Sequence, residues 1–201
     1  MSKHSPVHAV TARRVTNGSV SLAVFEQGKA DGETIVLVHG WPDTHELWNR
    51  IVPLLADDFR VVSYDSRGAG ESTIPSRVQD YQLSALAGDL FAVIDAVSPG
   101  KPVHVLAHDW GSVETWEAVC EPGAEEKIAS FSSISGPNLD HLGKWIRASA
   151  SKRRFLGPAA QERLRGGRFR QPAGAGQAGQ VGQPAALVVG DADAGVFHVQ
   201  R

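Results

Sequence analysis

The sequence lacks the features that would direct it to a membrane, a nucleic acid or an oxidising compartment. A single cysteine, Cys120, excludes an intramolecular disulfide and suits a reducing compartment. No segment reaches the roughly 18 continuous apolar residues that a membrane span needs. Neither charge sign dominates, because 20 Lys and Arg residues stand against 22 Asp and Glu residues. We therefore expect a cytoplasmic protein that has neither a membrane nor a nucleic acid as its partner.

Strand and helix patterns alternate through the first three quarters of the chain. A half-buried strand is predicted at 19–25, and apolar runs predict four further strands, buried on both faces, at 34–38, 60–64, 103–107 and 128–134. Helices are predicted at 47–55, 84–97 and 110–119. This alternation predicts an α/β fold, with a mostly parallel sheet and helices on both of its faces.

The composition changes after Trp145, and the change divides the chain into three predicted regions. Residues 1–150 are expected to form the N-terminal part of an α/β core. Residues 151–186 are rich in Arg, Gly, Ala, Gln and Pro, which predicts a low-complexity, disordered segment. Residues 187–201 are expected to hold a remnant strand, within the apolar patch 185–190, and a tail. A literal GxGxxG at 174–179 follows no strand and opens no helix, so no nucleotide cofactor is predicted.

The strongest chemical signal is Ala107-His108-Asp109-Trp110-Gly111, where a buried strand runs directly into a helix. Small residues two positions before and after Asp109 suit a nucleophile elbow, because this tight turn has no room for larger side chains. The turn places residue 109 at the C-terminal edge of the sheet, where open α/β folds hold their ligands. The alternative interpretation is that Asp109 only caps the helix that follows it.

A second motif, His39-Gly40-Trp41-Pro42, directly follows the first buried strand. In α/β-hydrolases this loop supplies one backbone N–H of an oxyanion hole, and the residue after the nucleophile supplies the other. We therefore expect the N–H groups of Trp41 and Trp110 to form the hole. The residues expected to support the two loops are His39, Gly40, Pro42, His108 and Gly111.

Three motifs in this order, HGWPD, YDSRGAGES and HVLAHDWGS, resemble the epoxide hydrolase and haloalkane dehalogenase branch of the α/β-hydrolases. The stretch 103–142 is most similar to actinobacterial epoxide hydrolases, some of which carry a fused short-chain reductase domain. The resemblance covers residues 15–145 and implies an α/β-hydrolase fold. In the middle motif, Asp65 and Arg67 are expected to brace neighbouring loops rather than to do chemistry.

The resemblance implies a mechanism with a covalent intermediate. Asp109 would attack an sp³ carbon and form an alkyl-enzyme ester, which a histidine oriented by a second acid would hydrolyse by activating water. The implied partners are water and a small epoxide or another alkyl electrophile, with no metal or cofactor. Many dehalogenases have Asn where Trp41 stands, so epoxide hydrolysis is favoured, and a dehalogenase-like hydrolase is the alternative.

The chain departs from the family pattern after its fourth buried strand. No cap domain is recognisable, and the two tyrosines, Tyr64 and Tyr81, both precede the elbow. Asp193 is one candidate for the second acid and Asp140 is the alternative. His198 follows Asp193 too closely to be the base, because another strand and a crossover should separate them.

We interpret this loss of pattern as a truncated fold, produced by a break in the reading frame or gene near residues 145–155. The expected function is an incomplete epoxide hydrolase that is weak or inactive as this chain. A non-catalytic fold remnant or a partner-binding protein is the alternative from another functional class.

Overall fold

The computed structural model describes residues 9–154, 187–191 and 196–200. The chain divides into two compact units, one formed by Met1–Pro137 with Ala186–Arg201 and the other by Asn138–Ala185. The strands of the first unit are β1 (Thr11–Asn17), β2 (Val20–Gly28), β3 (Glu33–Val38), β4 (Phe59–Tyr64), β5 (Val103–His108), β6 (Ile128–Ile134), β7 (Leu187–Asp191) and β8 (Val196–Gln200). Its α-helices are α1 (Val52–Leu55), α2 (Leu83–Val97) and α3 (Trp110–Cys120), and its 3-10 helices are His45–Arg50, Val78–Tyr81 and Ala124–Glu126.

The strands form one mixed sheet in the order β1-β2-β4-β3-β5-β6-β8-β7. Its centre, β4-β3-β5-β6, is parallel. Antiparallel strands flank this centre, β2 and β1 on one side and β8 and β7 on the other. The parallel centre and its crossover helices confirm the predicted α/β architecture, and the strands described beyond β6, β8 and β7, are antiparallel to their neighbours.

Apolar side chains pack on both faces of the parallel centre. Along β3, Val36 and Val38 join the larger core, which also contains the apolar faces of α2 and α3. Leu37 points to the other face, where it packs with Trp48 and Val52 of the His45–Arg50 helix and α1. This alternation along one strand is what a sheet covered on both faces requires.

Some predicted elements differ in the structure. The helix predicted at 47–55 is instead the 3-10 helix His45–Arg50 followed by the short α1, where Pro53 lies in the first turn. Proline has no N–H to donate to a preceding turn, so one continuous α-helix cannot form here. Of the strands, β1 and β8 were not predicted, whereas β7 corresponds to the strand expected at 185–190.

The second unit contains α4 (Leu139–Arg154), a helix that the sequence patterns did not predict. This helix runs past the domain boundary placed at residue 150. Residues 155–186, for which disorder was expected, lie outside the described residues. None of the described helices is long and apolar enough to cross a membrane.

The connections from β3 and β5 define where a site is expected. Strands β3 and β5 are neighbours, but the chain leaves β3 towards β4 on one side and leaves β5 towards β6 on the other. Such a reversal opens a crevice beyond the carboxyl ends of the two strands, and open α/β sheets bind ligands there. The loop after β3 begins with His39, and the residue after β5 is Asp109.

Candidate active site at the carboxyl ends of β3 and β5

Asp109 occupies a strained turn between β5 and α3. Its backbone lies at φ 54° and ψ −124°, a region that L-residues rarely adopt. Its N–H donates to the Ile134 carbonyl at 2.9 Å, and its carbonyl accepts the N–H groups of Ser112 and Val113 at 3.0 and 3.2 Å. Bonds on both sides of the residue therefore hold the unusual conformation in place.

Glycines let three backbone segments converge around this turn. A Cβ on Gly111 would lie 2.8 Å from the Val38 carbonyl carbon, and a Cβ on Gly40 would lie 2.5 Å from the Asp109 Cβ. A Cβ on Gly136 would approach the Val113 nitrogen to 3.2 Å and the Asp109 carbonyl oxygen more closely still. The expected need for small residues beside the elbow thus has a direct steric cause.

The Asp109 carboxylate faces the loop after β3 and does not cap α3. Its Oδ1 accepts the Trp41 backbone N–H at 3.2 Å. Although Asp109 stands at the N-cap position, its side chain makes no capping hydrogen bond. This arrangement argues against the interpretation of Asp109 as a simple helix cap.

Of the two amides predicted as an oxyanion hole, one contacts the Asp109 carboxylate and the other belongs to the next residue in the chain. The Trp41 N–H already contacts the carboxylate. Trp110 is the first residue of α3, so its N–H is one of the terminal helix amides that have no acceptor within the helix. Both tryptophan residues are exposed, at 77% for Trp41 and 51% for Trp110. The Trp41–Pro42 peptide bond is cis.

His39 is a structural histidine whose two ring nitrogens are both engaged. Nδ1 lies 2.7 Å from the Gly40 carbonyl, and Nε2 accepts the Ser66 N–H at 3.0 Å. Burial lowers the pKa of the His39 ring, against the opposing effects of the Gly40 hydrogen bond and the Asp65 charge. A neutral ring that carries its proton on Nδ1 satisfies both bonds, so His39 ties the loop after β3 to the loop after β4.

His108 is the last residue of β5 and differs from His39. Among the described residues, its buried Nδ1 has no hydrogen-bond partner. In the described part of the chain, no hydrogen bond from Nδ1 therefore supports the loop role predicted for His108.

Asp65 and Arg67 brace loops, as the sequence suggested. The fully buried Asp65 accepts the N–H and the ring Nδ1 of His45, both at 2.8 Å, and the Glu71 N–H at 2.8 Å. Arg67 forms a bidentate ion pair with Asp89 of α2, with both bonds at 2.6 Å. These contacts hold the loop after β4 in place at the carboxyl ends of the strands.

The His45–Asp65 pair has the geometry of a base and its orienting acid, and the sequence analysis missed it. The sequence did hold a sign of this pair. Asp65 directly follows a buried strand, and His45 lies at the end of the loop that begins at His39. Asp65 follows β4, which lies two strand spacings, or about 10 Å, from β5 in the sheet. The pair therefore fastens the start of the His45–Arg50 helix to the end of β4.

The two acids proposed as partners of Asp109 remain predictions. Asp140 is exposed in the first turn of α4, within the second unit. Asp193 lies outside the described residues, and His198 lies in β8. In the described part of the chain, no group of three or more His, Cys, Asp or Glu side chains is arranged to hold a metal ion.

Comparison with known proteins places this geometry in a family. Residues 33–173 match the family model described as alpha/beta hydrolase fold. The chain is 54% identical over 127 residues to the probable oxidoreductase EphD of Mycobacterium tuberculosis, which covers 63% of this chain and 22% of that protein. It is 33% identical over 132 residues to epoxide hydrolase A of the same organism, covering 65% of this chain and 40% of the relative.

Solved structures give a consistent result. An epoxide hydrolase of potato, Solanum tuberosum, matches with a TM-score of 0.58 and 27% identity, covering 63% of this chain and 40% of that one. The chain thus spans between a fifth and two fifths of the length of these relatives. The resemblance drawn from the three motifs is confirmed at the level of the family and of the relatives' names.

Proposed function

The chain belongs to the α/β-hydrolase fold family, and from this premise we propose that it is an epoxide hydrolase-type enzyme whose nucleophile is Asp109. The observation that carries the proposal is the hydrogen bond from the Trp41 N–H to Asp109 Oδ1. This bond occupies one carboxylate oxygen and leaves Oδ2 as the attacking atom. The names of the relatives support epoxides as the substrate class.

The proposed first step is a displacement at carbon. An Oδ2 lone pair forms a bond to an oxirane carbon while the ring C–O bond breaks, and the released oxygen takes up a proton from water or an acid. The product is an alkyl ester of Asp109 with a neighbouring hydroxyl. An aspartate suits this step because its carboxylate needs no deprotonation at neutral pH.

The proposed second step is hydrolysis of that ester. Water would add to the Asp109 Cγ, and the negative charge would develop on Oδ1, where the Trp41 N–H already donates. The Trp110 N–H at the start of α3 would be the second donor. Collapse of this adduct would restore the carboxylate and release a diol.

We expect turnover to be weak, because among the described residues neither His39 nor His108, the histidines of the two site loops, is hydrogen-bonded to an acid that would orient it as a base. The two His39 ring nitrogens are both engaged by backbone groups. The assignment of Asp193 or Asp140 as the orienting acid remains a prediction. The ester should therefore accumulate, and water and a small epoxide are the only partners that the proposal requires.

Intact mass spectrometry tests this proposal. After incubation with styrene oxide at pH 7, we expect one added epoxide mass per chain that persists for hours, and none in Asp109→Asn. Asp58→Asn, which changes an exposed carboxyl in the turn between α1 and β4, is the matched control and should behave as the wild type. An equal adduct in Asp109→Asn would refute the nucleophile. Halide release from 1,2-dibromoethane without reaction of epoxides would support the dehalogenase-like alternative instead.

A further inference from the structure

A buried serine hydroxyl lies behind the candidate nucleophile, in the first turn of α3. Ser112, three residues after Asp109, is fully buried, so it is closed off from solvent and from any substrate. Its Oγ donates to the Ala107 carbonyl at 2.8 Å and accepts the Ile134 N–H at 3.1 Å, and the Ile134 carbonyl lies 3.1 Å away as a second acceptor. One hydroxyl therefore joins α3 to the carboxyl ends of both β5 and β6.

These contacts lie at the last pair of residues that β5 and β6 share. The parallel register ends with His108 opposite Ile134, and both strands end at this pair. The end of a strand pair opens more readily than its middle, because no further pair lies beyond it. The Ser112 hydroxyl therefore holds the two strands where their pairing is weakest.

The backbone of Asp109 depends on the same group of atoms. The Asp109 N–H donates to the Ile134 carbonyl at 2.9 Å, and the Asp109 carbonyl accepts the Ser112 N–H at 3.0 Å. Ser112 thus acts on Asp109 directly through its own N–H, and indirectly through Ile134, which its hydroxyl holds. A residue at φ 54° and ψ −124° keeps that conformation only where its surroundings over-determine it.

The alternative interpretation is that position 112 requires only a small side chain. The loop after β6 passes close by, because a Cβ on Gly136 would collide with the Ser112 Cβ. Alanine would meet that requirement equally well, whereas the serine hydroxyl is buried with both its donor and its acceptor capacity in use. The two interpretations differ in what the loss of the hydroxyl alone would do.

We propose that Ser112 is a positioning residue for Asp109, whose hydroxyl holds the end of β6 against the elbow and so fixes the direction in which Oδ2 meets the electrophile. The inference rests on the proposed function, because it concerns the reactivity of Asp109. Displacement at carbon requires the attacking oxygen to lie in line with the C–O bond that breaks. A small misplacement of that oxygen therefore lowers the rate without weakening the binding of the epoxide.

The other aspartate at this edge of the sheet offers a matched control. Ser72 is also buried, and its Oγ donates to the Asp65 carbonyl at 2.6 Å and accepts the Ala23 N–H at 2.9 Å. Ser72→Ala therefore removes the same kind of bridging hydroxyl as Ser112→Ala, in the loop that Asp65 organises. In urea unfolding at pH 7, we expect both substitutions to lower the folding constant by similar factors, about tenfold each.

The effect on chemistry is measured as the rate of ester formation at Asp109 over a series of styrene oxide concentrations. We expect Ser112→Ala to lower the maximal rate at least about tenfold and to leave the half-saturating concentration unchanged within about twofold. Ser72→Ala should change neither, and Ser112→Thr, which keeps a hydroxyl, should restore most of the rate. A wild-type maximal rate in Ser112→Ala, equal losses in the two alanine variants, or a folded Ser112→Thr as slow as Ser112→Ala would each overturn the proposal.

Residue-resolved amide hydrogen exchange tests the hold on the elbow without any substrate. We expect the Asp109 and Ile134 amides to exchange at least about tenfold faster in Ser112→Ala than in Ser72→Ala, because only the first substitution frees the end of β6. If no protein forms an ester, the wild type included, the proposed function fails, and the exchange of these two amides decides the positioning claim. Equal exchange in the two alanine variants would refute it.

Discussion

Two aspartates stand directly after strands at the same edge of the sheet, Asp65 after β4 and Asp109 after β5, and their surroundings differ. Asp65 is fully buried, and three donors from His45 and Glu71 occupy its oxygens. Asp109 is only partly buried and receives the Trp41 N–H on Oδ1. Two properties therefore distinguish an aspartate that organises a loop from one that can react. They are the number of hydrogen-bond donors to its carboxylate and the access of solvent to it.

The electrostatics of Asp65 fit its organising role. Burial alone would raise the pKa of this carboxyl, but the hydrogen bonds from the His45 N–H, the Glu71 N–H and the His45 ring together bring it below its ordinary value of 3.8. A lowered pKa means that the ionised carboxyl stabilises the fold at neutral pH. This stabilisation is present above the ordinary pKa and is lost as the pH falls through the lower value of the folded state.

The largest expected effect comes from making the same substitution at both positions. Asp65→Asn replaces one carboxylate oxygen with an NH₂ group, which cannot accept the N–H groups that face it. The substitution should cost about 3 kcal/mol of unfolding free energy, because buried donors lose their acceptor. Asp109→Asn should cost under about 1 kcal/mol, since the amide oxygen can still accept the Trp41 N–H. Urea denaturation at pH 7 measures both. Equal losses at the two positions would break the comparison.

An intermediate effect is expected where the elbow packs against β3. Gly111→Ala should cost about 2 kcal/mol, because its Cβ would press on the Val38 carbonyl group rather than on a flexible side chain. Gly88→Ala in α2 is the control, since its Cβ meets only the Asn17 amide nitrogen, at 3.3 Å. Thermal unfolding of the two variants measures the difference. A harmless Gly111→Ala would show that the elbow is looser than these distances imply.

The smallest expected effect is a gain in stability. Asp109→Gly should stabilise the fold by about 1 kcal/mol, because glycine adopts φ 54° and ψ −124° without the strain that an L-residue carries there. No comparable gain is expected from Asp65→Gly, which would empty a satisfied buried site. Urea denaturation of both glycine variants tests this point, and a destabilised Asp109→Gly would argue against stored strain at the nucleophile.

The core of this fold was predictable because the signals are local. The four parallel strands follow from apolar runs, and the elbow follows from small residues around Asp109 at a strand-to-helix junction. The edge strand β1 was missed because its pattern is weak, with Val15 its one buried side chain. The helix at 47–55 was placed correctly but assigned the wrong hydrogen-bond pattern, because Pro53 interrupts it.

The paired side chains of the site could not be predicted in the same way. Tyr64 bonds to Glu114 across 50 positions, and Asn17 bonds to Asp89 across 72. The hydrophobic periodicity of the sequence cannot predict such contacts, since they depend on which strand ends lie side by side in the sheet. Once β4 is placed beside β3, the Asp65 and His45 pairing follows from the shared sheet edge.

The central claim is tested most directly by mapping which carboxyl is alkylated. After incubation with styrene oxide and proteolysis at low pH, tandem mass spectrometry should place the adduct on Asp109 in the wild-type protein. Asp65, buried behind its three donors, should remain unmodified. An adduct spread over exposed carboxyls, or located on Asp65 with Asp109 unmodified, would contradict the assignment of Asp109 as the nucleophile.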